Sequence, residues 1–180
     1  MRIILLTLTV FIMGLSPSYA GNITGEMAEK YQKDCVSKER PQNLSKKSHE
    51  FLCACTASKM LESMTTEDVM DLSSTDNTIA RSALNYMLVN VYAPCMEHPT
   101  RDHYYHTCKS NPNTRLITTD PRVMCNCVAE KVGTYIAHNG PDIFEDILTR
   151  NPNIQDPMAA LESDPKFQDY VKKQGVACLL

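Results

Sequence analysis

Eight cysteines are the residues of this 180-residue chain whose types and spacing could do chemistry. They fall into two sets of four in one order. The first set is Cys35, the pair Cys53-Ala54-Cys55, and Cys95; the second is Cys108, the pair Cys125-Asn126-Cys127, and Cys178. Three chemistries use cysteines in such numbers. Thiol–disulfide exchange generally uses Cys-x-x-Cys at a helix N-terminus, where a thiolate is stabilised. A structural zinc site needs four reduced ligands. Disulfide staples need only an even count and an oxidising compartment. The complete sets of four favour staples, so four disulfides, two per set, with no metal and no cofactor are expected.

Residues i and i+2 of an α-helix lie about 200° apart around its axis. The two sulfurs of a helical Cys-x-Cys therefore point to opposite sides and each needs its own partner. Cys53 shares an apolar face with Ala57, Met60, Leu61 and Met64, and Cys125 shares one with Ala129, Val132 and Ile136. Cys55 and Cys127 sit on the reverse faces, beside Lys59 and Lys131. The stripe Ile23, Met27, Tyr31, Cys35 is narrow and suits a helix clamped to a neighbour's back. This predicts Cys35–Cys55 and Cys53–Cys95 in the first set, and Cys108–Cys127 and Cys125–Cys178 in the second.

The second chemical cluster is histidine-rich. His98, His103 and His106 lie close to Asp102, Tyr104, Tyr105 and Cys108. His103 and His106, at i, i+3, have a spacing seen in copper and zinc sites, but spacing fixes no further ligand. A polar segment with exposed histidines is the simpler account. His98, His103, Tyr105 and His106 are retained as a candidate protein-binding surface. The methionines, among them Met60, Met64, Met70, Met87, Met124 and Met158, read as core fillers. Glycine-rich phosphate loops, G-x-S-x-G and H-E-x-x-H are all absent. A net charge of −3 disfavours nucleic acid. No enzyme is expected.

These residues must be positioned by helices. Ala80, Ala83, Leu84, Met87, Leu88 and Val91 recur at helical spacing behind a cap at Asp76 or Asn77. Thr65-Thr66-Glu67-Asp68 has the form of a capping box. Pro141-Asp142 opens an expected helix carrying Ile143, Phe144, Ile147 and Leu148, and Asp164-Pro165 opens the last one. No sustained period-2 alternation marks a strand. The fold class expected is all-α, a tandem duplication of a roughly four-helix, disulfide-stapled unit. Tyr31 and Tyr104 precede the first cysteines by four positions, and Ala57 and Lys59 match Ala129 and Lys131. The units span 23–97 and 99–180, joined by a polar linker at His98–His103.

Tyr/Phe-x3-Cys followed by Cys-x-Cys-x-Ala-x-Lys resembles a pattern of small secreted or membrane-attached bacterial domains. The resemblance covers Tyr31–Lys59 and Tyr104–Lys131. It implies an exported helical domain and no particular activity. Residues 1–20, with Arg2, an apolar Ile3–Met13 and Ser18-Tyr19-Ala20, read as a signal peptide. No membrane span is expected after it. The expected function is that of a periplasmic or secreted protein that binds another, as an accessory subunit of an envelope assembly or a secreted factor. An inhibitor or immunity-type protein against a toxin or hydrolase, and a thiol–disulfide oxidoreductase using Cys-x-Cys, are the alternatives.

Overall fold

The computed structural model describes residues 21–154 and 156–179. The expected signal peptide, 1–20, lies outside the described residues. All regular structure among the described residues is helical, and no strand forms. Helix α1 (Gly25–Ser37) leads to α2 (Lys46–Ser63), the short α3 (Thr66–Asp71) and α4 (Asn77–Met87). The chain then passes through a π-helical turn (Leu88–Tyr92) and a 3-10 turn (Ala93–Cys95) into α5 (Glu97–Ser110) and the one-turn α6 (Thr114–Ile117). The long α7 (Pro121–Arg150), α8 (Pro157–Ser163) and α9 (Pro165–Ala177) complete it. Among the described residues, no helix is long and apolar enough to cross a membrane.

Local signals set most of the helix starts. Thr65 and Asp68 form the expected capping box, each side chain taking the other's backbone N–H. Asp76 accepts from Thr78 and Ile79 to open α4. Asp164 accepts from Phe167 and Pro165 occupies the first turn of α9.

Three local expectations fail. Residues 98–103 are no linker: they lie within α5, where Pro99 and Thr100 are buried. Pro141 opens no helix, because α7 runs through it. The missing bond at Pro141 is outweighed by packing, since Gly140 sits against the 3-10 turn so closely that a Cβ there would lie 2.9 Å from the Ala93 carbonyl oxygen. Gly133, seven residues earlier, makes the same close approach to Glu97 and Arg101 at the start of α5. The halves also depart from four helices each, because α3, α6 and α8 are short extra pieces and the fourth element of the first half is irregular.

Two buried clusters make the core. Ile23, Ala28, Ala57, Met60, Met64, Met87 and Val91 fill the first half. The second gathers α7, α8 and α9 through Val128, Val132, Ile136, Phe144, Leu161 and Phe167. The turn segment between the halves belongs to both. Val91 lies in the first cluster, Leu88 and Ala93 in the second, and Tyr92 packs on each. The first half thus lends its last segment to the core of the second.

Candidate functional site

All eight cysteines are bonded, as Cys35–Cys53, Cys55–Cys95, Cys108–Cys125 and Cys127–Cys178. The expected pairs Cys35–Cys55, Cys53–Cys95, Cys108–Cys127 and Cys125–Cys178 are therefore corrected. The two sulfurs of each Cys-x-Cys do go to different partners. What differs is which face receives the preceding helix. Ala28 of α1 shares a buried cluster with Ala57 and Met60 of α2, so α1 covers the apolar face of α2 and not its back. The sulfur on that face is Cys53, and it meets Cys35. Cys55, half-buried on the other side, meets Cys95 in the 3-10 turn. The second half repeats this: Cys125 of α7 meets Cys108 of α5, and Cys127 meets Cys178 behind α9.

Tyr31 and Tyr104 each contact an aromatic residue upstream of the last cysteine of their set. The Tyr31 hydroxyl bonds that of Tyr92, at 2.9 Å, on the segment that leads to Cys95. Burial, reinforced by Tyr31, pushes the Tyr92 hydroxyl up. Tyr104 lies edge-on to Phe167 of α9, the helix that leads to Cys178, at 5.8 Å between ring centroids. Burial, aided by the nearby Glu162 carboxylate, pushes Tyr104 up to about 12.

The four candidate residues of the junction do not form one surface. His98 stacks edge-on with Phe51 of α2 at 4.2 Å and hydrogen-bonds Arg101 at 2.9 Å. His103 turns the other way, its Nε2 lying 2.5 Å from Glu162 Oε1 of α8. Tyr105 is half-buried beneath Lys109, and His106 is exposed, its ring 5.6 Å from that of Tyr105. Asp102 is likewise engaged, accepting from the Ser45 backbone N–H at 2.8 Å. Burial raises the Asp102 carboxyl, but hydrogen bonds from Ser45 and Ser48 outweigh it and hold it below the usual range. With His103 on Glu162 and Asp102 on Ser45, these side chains do not converge on a shared ion.

Among the described residues, Cys35, His49 and Cys53 do converge, with one ligand-capable atom of each lying within 4.8 Å of the others. The two sulfurs are bonded to each other. Metal ligation by cysteine needs thiolates, so the arrangement is an imidazole against a disulfide.

Of the junction group, His103 faces an apolar cleft. Its walls come from three separate stretches: Leu44 and Leu52, then Tyr92, Met96, Pro99 and His103, then Asp156–Met158. The volume is about 210 Å³, and the wall is almost wholly apolar. A second hollow of about 320 Å³ adjoins it across Tyr92 and Pro157, walled by Leu84, Leu88 and Ile154. Tyr92, the last residue of the π-helical turn, lines both, and π-turns recur at functional sites. Glu162 and Asp156 make the neighbouring edge acidic. Of the methionines read as core, Met60, Met64, Met87 and Met124 are buried, but Met70 is 67 % exposed and Met158 lines this cleft. Nothing local in the sequence announces the cleft, because no single stretch builds it. The one clue is that Pro41, Pro99 and Pro157, at its edges, are residues that shape irregular walls.

Compared with known proteins, the chain matches no family model, no curated protein and no solved structure.

Proposed function

We propose that this protein acts by binding another protein, and that the cleft beside His103 receives an apolar side chain of the partner. The observation that supports this is the apolar cleft itself, held open where the two halves meet. Four disulfides reduce the ordering cost of presenting it. The acidic edge at Asp156 and Glu162 favours a partner segment in which the apolar residue is flanked by Lys or Arg. The group Tyr105 and His106, on another side of α5, is a secondary contact at most.

On the same reading, the two halves arose by tandem duplication of a stapled unit, 23–97 and 99–180. The repeated disulfide connectivity and the aromatic contacts of Tyr31 and Tyr104 support it. The chain works in an exported, oxidising compartment, as four disulfides favour.

A photo-crosslinking amino acid at position 158, in the cleft, should trap one partner from the exported fraction. The same group at position 116, fully outside the cleft and 82 % exposed in the native residue, should not. Leu52→Glu should abolish the 158 crosslink with the thermal midpoint kept within a few degrees. Equal trapping from both positions, or an unchanged crosslink in Leu52→Glu, would defeat the cleft proposal. Turnover of a peptide, glycan or added protein substrate by the purified protein would defeat the non-catalytic one.

A further inference from the structure

Cys53 and Cys125 hold equivalent places. Each is the first cysteine of a Cys-x-Cys, each is fully buried, and each is bonded to a half-buried cysteine on an earlier helix, α1 or α5. One helical turn before them the halves diverge, with His49 in the first and Pro121 in the second. A residue at i−4 stands beside the sulfur on the same face of the helix. The His49 ring is there, only 9 % exposed, with a nitrogen within 4.8 Å of both Sγ atoms. Proline at the corresponding place offers no ring N–H at all.

We infer that Cys35–Cys53, besides stapling α1 to α2, is a thiol-exchange site for small thiols, set among three disulfides that serve as staples alone. An incoming thiolate reaches the half-buried Cys35 Sγ and not the enclosed Cys53 Sγ. A new S–S bond forms to Cys35, the Cys35–Cys53 bond breaks, and its electron pair leaves on Cys53. A His49 ring N–H faces that leaving thiolate as a hydrogen-bond donor, and the thiolate takes up its proton from water. A second molecule of small thiol then attacks the mixed disulfide at the sulfur of the first. It releases the oxidised small-molecule disulfide and leaves Cys35 as a thiol after taking up a proton. Two electrons enter the protein and two small thiols are oxidised. Exchange is faster when the departing sulfur is the better leaving group, which is what a hydrogen-bond donor beside Cys53 provides. The inference does not rest on the cleft proposal, although Leu52 of the cleft wall is the chain neighbour of Cys53.

The experiment is exposure of native full-length protein to reduced glutathione, with timed alkylation and peptide mapping of each bond. Cys35–Cys53 is expected to open about tenfold faster than Cys108–Cys125, its counterpart of nearly equal span, while helical circular dichroism is unchanged. His49→Gln should bring the two rates together. Pro121→His, which places an imidazole beside Cys125, should speed the opening of Cys108–Cys125, and this reads out even if His49→Gln fails to fold. Equal opening rates of the two bonds in the unaltered protein would overturn the inference. So would a His49→Gln protein that folds and keeps the fast rate, or a Pro121→His protein that folds without acceleration at Cys108–Cys125.

Discussion

The two halves carry the same staples on helices of very different reach. Helix α2 ends at Ser63, ten residues after Cys53, and the chain restarts in α3 behind the Thr65 capping box. Helix α7 continues from Cys125 for twenty-five residues, to Arg150. A capping box at Thr65-Asp68 offers the backbone an exit that the corresponding stretch of α7, Ala137-His138-Asn139-Gly140, does not. In α7 the close seating of Gly133 and Gly140 on α5 and the 3-10 turn carries the helix past Pro141. Short-range staples therefore fix where neighbouring helices touch, while capping and packing fix how far each helix runs.

The largest difference to be broken is between long and short staples. Chain entropy assigns about 4 kcal/mol to the bonds spanning 40 and 51 residues, Cys55–Cys95 and Cys127–Cys178, and about 3 kcal/mol to those spanning 18 and 17. Paired Cys→Ala variants measured by denaturant unfolding should follow that order in both halves. A short staple that proves the costlier would show that native contacts, and not loop closure, dominate.

Next comes the glycine seat that only the second half possesses. Gly140→Ala should cost about 1–3 kcal/mol, because the obstructing atom is the Ala93 backbone oxygen and cannot swing aside. Gly25→Ala, in α1, meets nothing within 4 Å and should be neutral or stabilising. Chemical denaturation of the two variants side by side checks the contrast.

Helix caps give a smaller one. Asp164 is 4 % exposed, caps α9 through Phe167 and binds Arg150 at 2.6 Å, so Asp164→Ala should cost about 2 kcal/mol. Asp76 caps α4 at the surface, and Asp76→Ala should cost about 1 kcal/mol. Comparable losses would mean that burial of Asp164 and its pairing with Arg150 add nothing.

The smallest effect is pH-dependent and lies where the halves touch. The Asp102 carboxyl is lowered in the folded protein, so its contribution is present above its unfolded value near 3.8 and fades as pH falls through the lower folded value. Asp102→Asn should be slightly less stable than the unaltered protein at about pH 6, by under 1 kcal/mol, with a smaller difference at about pH 2. Urea titrations at both pH values measure this. A difference that grows toward low pH would reverse the sign.

What was legible in the sequence was local. Thr65, Asp76 and Asp164 announced their caps because a cap is made within four residues. The opposed sulfurs of each Cys-x-Cys followed from helix geometry alone. The partners did not, because they depend on which face of α2 receives α1, and a narrow stripe such as Ile23-Met27-Tyr31-Cys35 fits either side. Pro141 misled because its local cost was visible and the seat of Gly140 on Ala93 was not. The cleft was hidden for a like reason: Leu52, Met96 and Met158 meet only after the first half has lent its last segment to the second.

Peptide mapping of the non-reduced protein tests the repeated connectivity on which the comparison of halves rests. The bonds expected are Cys35–Cys53, Cys55–Cys95, Cys108–Cys125 and Cys127–Cys178, with none crossing between halves. Recovery of Cys35–Cys55 with Cys53–Cys95, different pairings in the two halves, or any bond between them would contradict the account.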